Sequence, residues 1–514
     1  MAQGGVFSLA LADERFDRFF TASAHLRDRL AGLRSGREAA GLSPAAPPPA
    51  AVEKTHLLYV AASYRPYAAV ASEYTKVRPS GDGASALGPG GGGCQFVLPG
   101  LGSFTSDLVV HVRVREVGSA GAAAPTAATP LLRYCALPGA RIFSRVALGA
   151  GGVVVDEYGP DDVVAEGKFF VGADRRAGWE RCLGQQELRE AAALGNGYTV
   201  AQFYRDGPQT PKLFQPAFEM LIPLGFWFCR GPAHALFNDG TPASQRTVTC
   251  DFAPLSDLLS AWLPDPADPG RLVPAALPVG RLAVDVSLYA NGLYVNPEIH
   301  DLFAARTGFS LVRVHRRQAA ALPGPSGSVL LDRLKFPAEF LLAGVRARAL
   351  ARDPDRWWLM GAAPARPPSA ALLAPVALWN GAAGLAQLAL RPCAEVSALE
   401  AAADRLGFSA HGIDLFPDLP SAFYNAYLPG RFPRGGALAS PADPHALLVA
   451  FCLFPGADAP SGYFNLSAGR ELYARYSLAA GDAYVSGSAE LVVLMSALNF
   501  LLRRGDRLAL KYSV

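Results

Sequence analysis

Residues 207–229 read GPQTPKLFQPAFEMLIPLGFWFC. The first ten hold three prolines and a glycine, and in the remainder Glu219 is the one charge. A helix across a bilayer needs about 20 apolar residues in a row, and Pro216, Pro223 and Gly225 interrupt this run. The pattern predicts a proline-cornered loop that feeds a core strand over 218–229 of a soluble protein.

The same reading spreads to either side. In DLVVHVRVRE (107–116), Leu108, Val110, Val112 and Val114 share one face, and His111, Arg113 and Arg115 share the other. That is the period of a half-buried strand. Further strands are predicted at 56–64, 94–99, 141–148, 153–158 and 246–252. In the second half they recur at 309–317, 334–346, 406–416, 446–454, 470–478, 489–502 and 507–514. A hairpin is expected at 282–290 and 293–296 around Asn291-Gly292, the pair that a two-residue type I′ turn favours. At the end of the chain, Leu498, Phe500 and Leu502 are expected opposite Tyr512, Leu510 and Leu508. Helix is predicted at two places: an amphipathic segment over 13–38, with Phe16, Phe19, Phe20, Leu26, Leu30 and Leu33 on one stripe, and 396–405.

Size and composition agree with this picture. A chain of 514 residues exceeds what one core organises. Gly 52 and Pro 42 suit many short strands joined by turns. Residues 264–280, PDPADPGRLVPAALPVG, hold five prolines and no periodicity, and are expected to separate two domains. The predicted organisation is an N-terminal arm at 1–50 with a proline-rich tether, a first all-β domain at 51–263, the linker, and a second at 281–514. Each domain has the size of an eight-stranded jelly roll with long loops.

Chemistry is hard to find. A net charge of +3 does not point to nucleic acid. Seven scattered cysteines read as free thiols in a reducing compartment. Phe7–Ala12 is too short an apolar run for a secretory leader, so the chain is expected to be made in the cytosol. Glu166-Gly167-Lys168-Phe169 lacks the rest of a phosphate-binding loop, and Gly90–Gly93 has no helix after it. Cys229 and His234 alone leave zinc two ligands short. Asp156-Glu157 point to opposite faces of a strand, and with Asp161-Asp162 they are expected in a solvated turn. Trp357-Trp358 is expected to split between core and subunit contact. Asn465-Leu466-Ser467 is a glycosylation sequon that a cytosolic chain does not use, and Arg504-Gly505-Asp506 reads as a hairpin loop. No catalytic residue, cofactor or metal site is assigned. A cupin would need a histidine set that is missing; a glycosidase would need a carboxylate pair that sequence does not locate. A glycan-binding β-sandwich of an attachment protein or fibre is the alternative to a shell protein.

One resemblance decides between these. The opening stretch, together with VEKTHL (52–57), EYTKVRP (73–79), YCALPG (134–139) and LGQQE (183–187), resembles in order the first half of the major capsid proteins of African swine fever virus and its relatives among the nucleocytoplasmic large DNA viruses. PEIHDLF (297–303), FSLVRVH (309–315), HGID (411–414), PSG (460–462), NLS (465–467) and ALNFLL (497–502) resemble the second half. The segment between Glu187 and Gly207 is shorter than in that family, so its outer loops are expected to be trimmed. The resemblance implies a double jelly roll that forms a homotrimer, a six-cornered capsomer that tiles the facets of an icosahedral virion capsid assembled in host cytoplasm. It implies contacts between trimers, with minor capsid and penton proteins, and with no nucleic acid. The arm at 1–50 is a candidate for contact with the inner membrane or its proteins, and long-range β pairing makes a folding chaperone a candidate partner.

Overall fold

The structure is a computed structural model and describes most of residues 70–512. Residues 1–69, 81–85, 119–128, 195–197, 204–206, 239–245, 265–271, 305–308, 362–374, 380–385, 390–402, 433–437, 467–470, 480–487, 505–506 and a few single positions lie outside the description. The helix expected at 13–38 and the strand expected at 56–64 fall there.

Eight strands build a first sandwich: β1 (Val70–Val77), β2 (Gly92–Val97), β3 (Phe104–Val114), β4 (Phe143–Ala150), β5 (Val153–Tyr158), β6 (Phe218–Pro223), β7 (Arg246–Phe252) and β8 (Leu282–Val295). They form two sheets of order β1-β8-β3-β6 and β2-β7-β4-β5. Eight more follow: β9 (Phe309–Leu322), β10 (Ser326–Leu330), β11 (Pro337–Ala347), β12 (Ala403–Ala410), β13 (Ile413–Pro420), β14 (Leu447–Ala450), β15 (Leu472–Leu478) and β16 (Ala489–Arg504). Their sheets are β9-β16-β11-β14 and β10-β15-β12-β13. Adding eight to each number of the first sandwich gives the second. First, eighth, third and sixth strands pair in one sheet; second, seventh, fourth and fifth pair in the other. This is the jelly-roll arrangement, present twice.

Side-chain alternation explains the sheets. In β3, Leu108, Val110 and Val112 are fully buried, as their spacing requires. In β7, Val248, Cys250 and Phe252 point inward and Thr247, Thr249 and Asp251 only part-way. β11 breaks the rule, being buried at every position from Pro337 to Arg346. A strand buried on both faces has a layer on each side of its sheet.

Several local expectations are corrected. Asn291-Gly292 does not turn the chain; it lies inside β8, which is paired on both sides with β1 and β3. The register with β3 shifts between these two residues, so the pair fits an irregularity in the ladder. Residues 272–275 pair back onto 259–264, which pair with 131–134. Residues 282–295, β8, pair with β1 and β3. The single strand expected at 406–416 is the hairpin β12–β13, turned by His411 and Gly412, both at positive φ. Helix was expected over 396–405, but residues 403–405 belong to β12. The strand expected at 218–229 stops at Pro223, and Trp227–Arg230 make one tight helical turn. The C-terminal ladder sets Leu501 opposite Leu510, one residue out of the expected register.

Candidate functional site: the seam between the sandwiches

Two helices follow β5, α1 (Pro160–Phe170) and α2 (Ala173–Cys182). Sequence reasoning missed both. The signal was there: Pro160 at the first helical position, acids in the first turn and Lys168 in the last. Asp162 accepts a hydrogen bond from the Gly159 N–H at 2.9 Å, which satisfies a buried donor at the helix start.

α1 lies between the sandwiches and is pinned at three points. At its start, Asp161 takes both arms of the Arg346 guanidinium at 2.8 and 3.2 Å. Arg346 sits on β11 and also donates to Glu490 of β16 at 2.8 Å. At its end, Lys168 meets Asp443 at 2.7 Å and the Trp358 carbonyl at 2.6 Å. Asp443 further accepts the backbone N–H groups of Met360 and His445. In the middle, Glu166 pairs with Arg230 and stands 3.8 Å from the His315 ring.

β5 supplies the fourth contact. Asp156 is fully buried and accepts from the His315 backbone N–H at 2.7 Å and from its Nδ1 at 2.9 Å. Tyr158 packs against both His315 and Phe226, with ring centroids 5.2 and 5.3 Å away. Here the opening stretch finds its role. Its strand is β6, and its aromatic tail Phe226-Trp227-Phe228 is buried beside the seam. Across a second corner, Trp357 donates to the Ala136 carbonyl at 2.7 Å and lies under Arg141.

Burial and charge contend at each of these groups. Burial opposes a charged imidazole, yet Asp156 and Glu166 outweigh it and lift His315 to about 10. Burial would raise Glu166, but Arg230 and His315 hold it at about 2. For Asp162, burial wins over His315 and Arg317 and raises the carboxyl to about 6. Burial lowers Lys168, with Asp443 opposing. Apart from Asp162, the carboxylates and bases named here stand in opposed pairs, an arrangement that joins elements and fixes their geometry.

The acids expected in a solvated turn are therefore corrected. Asp156 and Asp162 are buried, and Asp161 is a seam contact. Glu157 does point the other way, to Arg145 at 2.7 Å. Trp357 is buried, in a loop and not a strand. Cys229 and His234 are not joined into a metal set; His234 faces Asp458 at 3.2 Å. Among the described residues no three potential metal ligands gather.

The whole chain aligns with the hexon protein p72 of African swine fever virus, 24% identical over 660 aligned positions that cover 100% of both. A protein of the Warthog/Namibia isolate of that virus, called major capsid protein, is equally similar, at 24% over 664 positions. Among solved structures, the Faustovirus major capsid protein superposes with a TM-score of 0.68 at 26% identity, over 96% of this chain and 100% of that one. A PBCV-1 virus capsid chain matches with a TM-score of 0.59 at 16% identity, over 88% of this chain and 98% of that one, a likeness of fold. No family model matches.

Proposed function

We infer that this chain, a homologue of the major capsid proteins of large icosahedral DNA viruses, closes in threes into the block from which the virion shell is tiled. Its place is the virion capsid, and its work is structural self-association. The observation that carries the trimer is the repeat itself. Two jelly rolls with the same strand order, locked side by side by α1, give one chain two similar corners. Three such chains about a threefold axis give six corners, and a six-cornered block fills a plane. Closed threefold symmetry requires one surface of each copy to meet a different surface of the next.

The proposed division of the chain follows the sheets: a first sandwich through Val295 and a second from Phe309, with 264–280 a connection inside the first. The proposed work needs no catalysis. Asp161 with Arg346, Lys168 with Asp443, Glu166 with Arg230 and Asp156 with His315 are matched pairs, which suits a fastener better than a reacting centre. Minor capsid and penton proteins, and an inner membrane reached through residues 1–50, are the further partners proposed, with a chaperone during folding.

The test is the mass of the purified full-length chain by light scattering, with negative-stain images of the same fraction. Trimers with a near-hexagonal outline are expected. A chain that stays monomeric at every concentration overturns the reading.

A further inference from the structure

The cysteines are scattered along the chain, but the ladder of the first sandwich brings two of them face to face. Cys94 on β2 and Cys250 on β7 are directly opposed in an antiparallel pair. Both point into the sandwich and are buried, with Phe96 and Val248 as the next inward pair. Both are free thiols. The two side chains are in contact. Cys250 is raised well above the ordinary thiol range, first by its hydrogen bond with Cys94 and then by burial.

The spacing suits a covalent bond. The Leu98 N–H donates to the Arg246 carbonyl at 2.8 Å, which marks 98 and 246 as a hydrogen-bonded pair of this ladder. Such pairs recur at every second residue, so 94 and 250 form another. Across one, the Cα atoms stand about 5.5 Å apart, inside the range of about 4.4–6.8 Å that a disulfide spans. The remaining described cysteines, Cys135, Cys182, Cys229 and Cys452, lie outside the strands. The matching strands of the second sandwich, β10 and β15, hold no cysteine.

Position in the sheet gives a reagent its way in. β2 is an edge strand, and β7 lies between it and β4. Among the described residues, the outer side of β2 is met by one bridge, from the Ser80 N–H to the Gln95 carbonyl at 2.7 Å, and not by a ladder. Cys94 is the third residue of β2. Glycines lead into it, with Gly91 and Gly92 at φ 77 and 148°. The end of an edge strand opens more cheaply than the sandwich unfolds. Opening there presents Cys94 to solvent and relieves the burial that keeps it protonated, while Cys250 stays in place on the inner strand.

We propose that Cys94 and Cys250 form a redox clamp, a pair of thiols while the chain is in a reducing compartment and a disulfide tying β2 to β7 once it meets an oxidising one. The oxidant is a small-molecule disulfide such as oxidised glutathione. The Cys94 thiolate attacks one of its sulfurs and releases the first small thiol. Cys250 then loses its proton, attacks the Cys94 sulfur of the mixed disulfide and releases the second. Two protein thiols are oxidised, one external disulfide is reduced, and the two cysteine protons end on the released thiols. The loop so closed holds β3 to β6, and a cross-link across a long loop constrains the unfolded chain most. The clamp acts within one chain and does not depend on the trimer proposed above.

Mass spectrometry reads the bond. The full-length protein is purified in reductant and held folded in buffers of rising oxidised-to-reduced glutathione ratio. It is then quenched in acid, blocked with N-ethylmaleimide and digested without reduction. A linked pair of peptides bearing Cys94 and Cys250 is expected, and dithiothreitol added before the quench is expected to abolish it. The oxidised wild type is expected to melt at least about 2 °C above the reduced protein. Cys250→Ser is expected to show neither the link nor the rise. Absence of the link at every ratio overturns the proposal. So does a link that forms only in unfolded protein, or one that leaves the melting temperature unchanged. The link and the rise are both read in the wild type, so the test stands even where Cys250→Ser does not fold.

Discussion

Asp156 holds His315 by two donors, the backbone N–H at 2.7 Å and the ring Nδ1 at 2.9 Å, across 159 residues of chain. The carboxylate comes from the first sandwich and the imidazole from the second. With the sandwiches together, Asp156 is fully buried and His315 nearly so. The pair therefore reports directly on whether the seam is closed.

Its pH dependence has a definite sign. His315 is lifted from 6.5 to about 10, so the stabilisation is complete below pH 6.5 and lost as pH rises through 10. Glu166 is held at about 2 against an ordinary 4.5, so its share is complete above pH 4.5 and lost as pH falls through 2. Asp162, raised to about 6, acts the other way; its cost at neutral pH is relieved as pH falls below 6. The melting temperature is expected to be highest between about pH 4.5 and 6.5 and to decline toward pH 10. His315→Gln is expected to flatten the alkaline decline. Calorimetric scans that show the wild type gaining stability from pH 7 to 10 would refute this.

Lys168 and Asp443 form the most buried ion pair of the seam, their side chains 6 and 3% exposed. Lys168→Met leaves the carboxylate of Asp443 without its cation, and a loss of about 3–5 kcal/mol is expected. Asp443→Asn is expected to cost a similar amount. Combining the two should cost clearly less than their sum, because neither charge is then stranded. Urea unfolding of the four proteins gives the coupling; strict additivity would mean the pair does not act as a unit.

Gly102 tests the placement of β8. It has φ 69°, and a Cβ there would stand 2.6 Å from the Leu293 carbonyl oxygen. Next to it, the Ser103 N–H donates to that same carbonyl at 2.8 Å. Gly102→Ala is expected to destabilise by about 2 kcal/mol or more, strain adding to the clash. Gly280→Ala has open space around its Cβ and serves as the control. Equal melting temperatures for the two variants would contradict the close approach of 102 and 293.

Fragments separate the two candidate borders. A piece ending at residue 280 lacks β8, so β1 and β3 lose the strand that joins them. A piece ending near residue 300 keeps it. Both expose the same seam, so the difference between them reports β8 alone. The longer fragment is expected in the soluble fraction with a near-ultraviolet circular dichroism signal, the shorter one without it. Equal behaviour would return the border to 264–280.

The strands of this fold are legible one at a time. Alternation in 107–116 and the β-rich run of 246–252 are decided by which face of a strand meets water, and that is written residue by residue. So is the absence of a long unbroken apolar run. What the sequence left open is which strand lies beside which. Asn291-Gly292 has the local chemistry of a turn, but two neighbouring strands, one of them 170 residues earlier by the Arg115–Asp285 contact, hold it extended. Asp156 and Asp161 look like surface acids because the bases that pair with them lie 159 and 185 residues away.

By itself, then, the amino-acid sequence determined an all-β protein of two tandem jelly rolls and, through collinear motifs, its likeness to capsid proteins. Local periodicity and short-range chemistry carry that much. Only the tertiary structure decided which distant strands share a sheet and that a helix bolts the sandwiches together. Each of these depends on pairing between distant segments, where loop-closure entropy and burial are settled by the whole chain and not by any window of it.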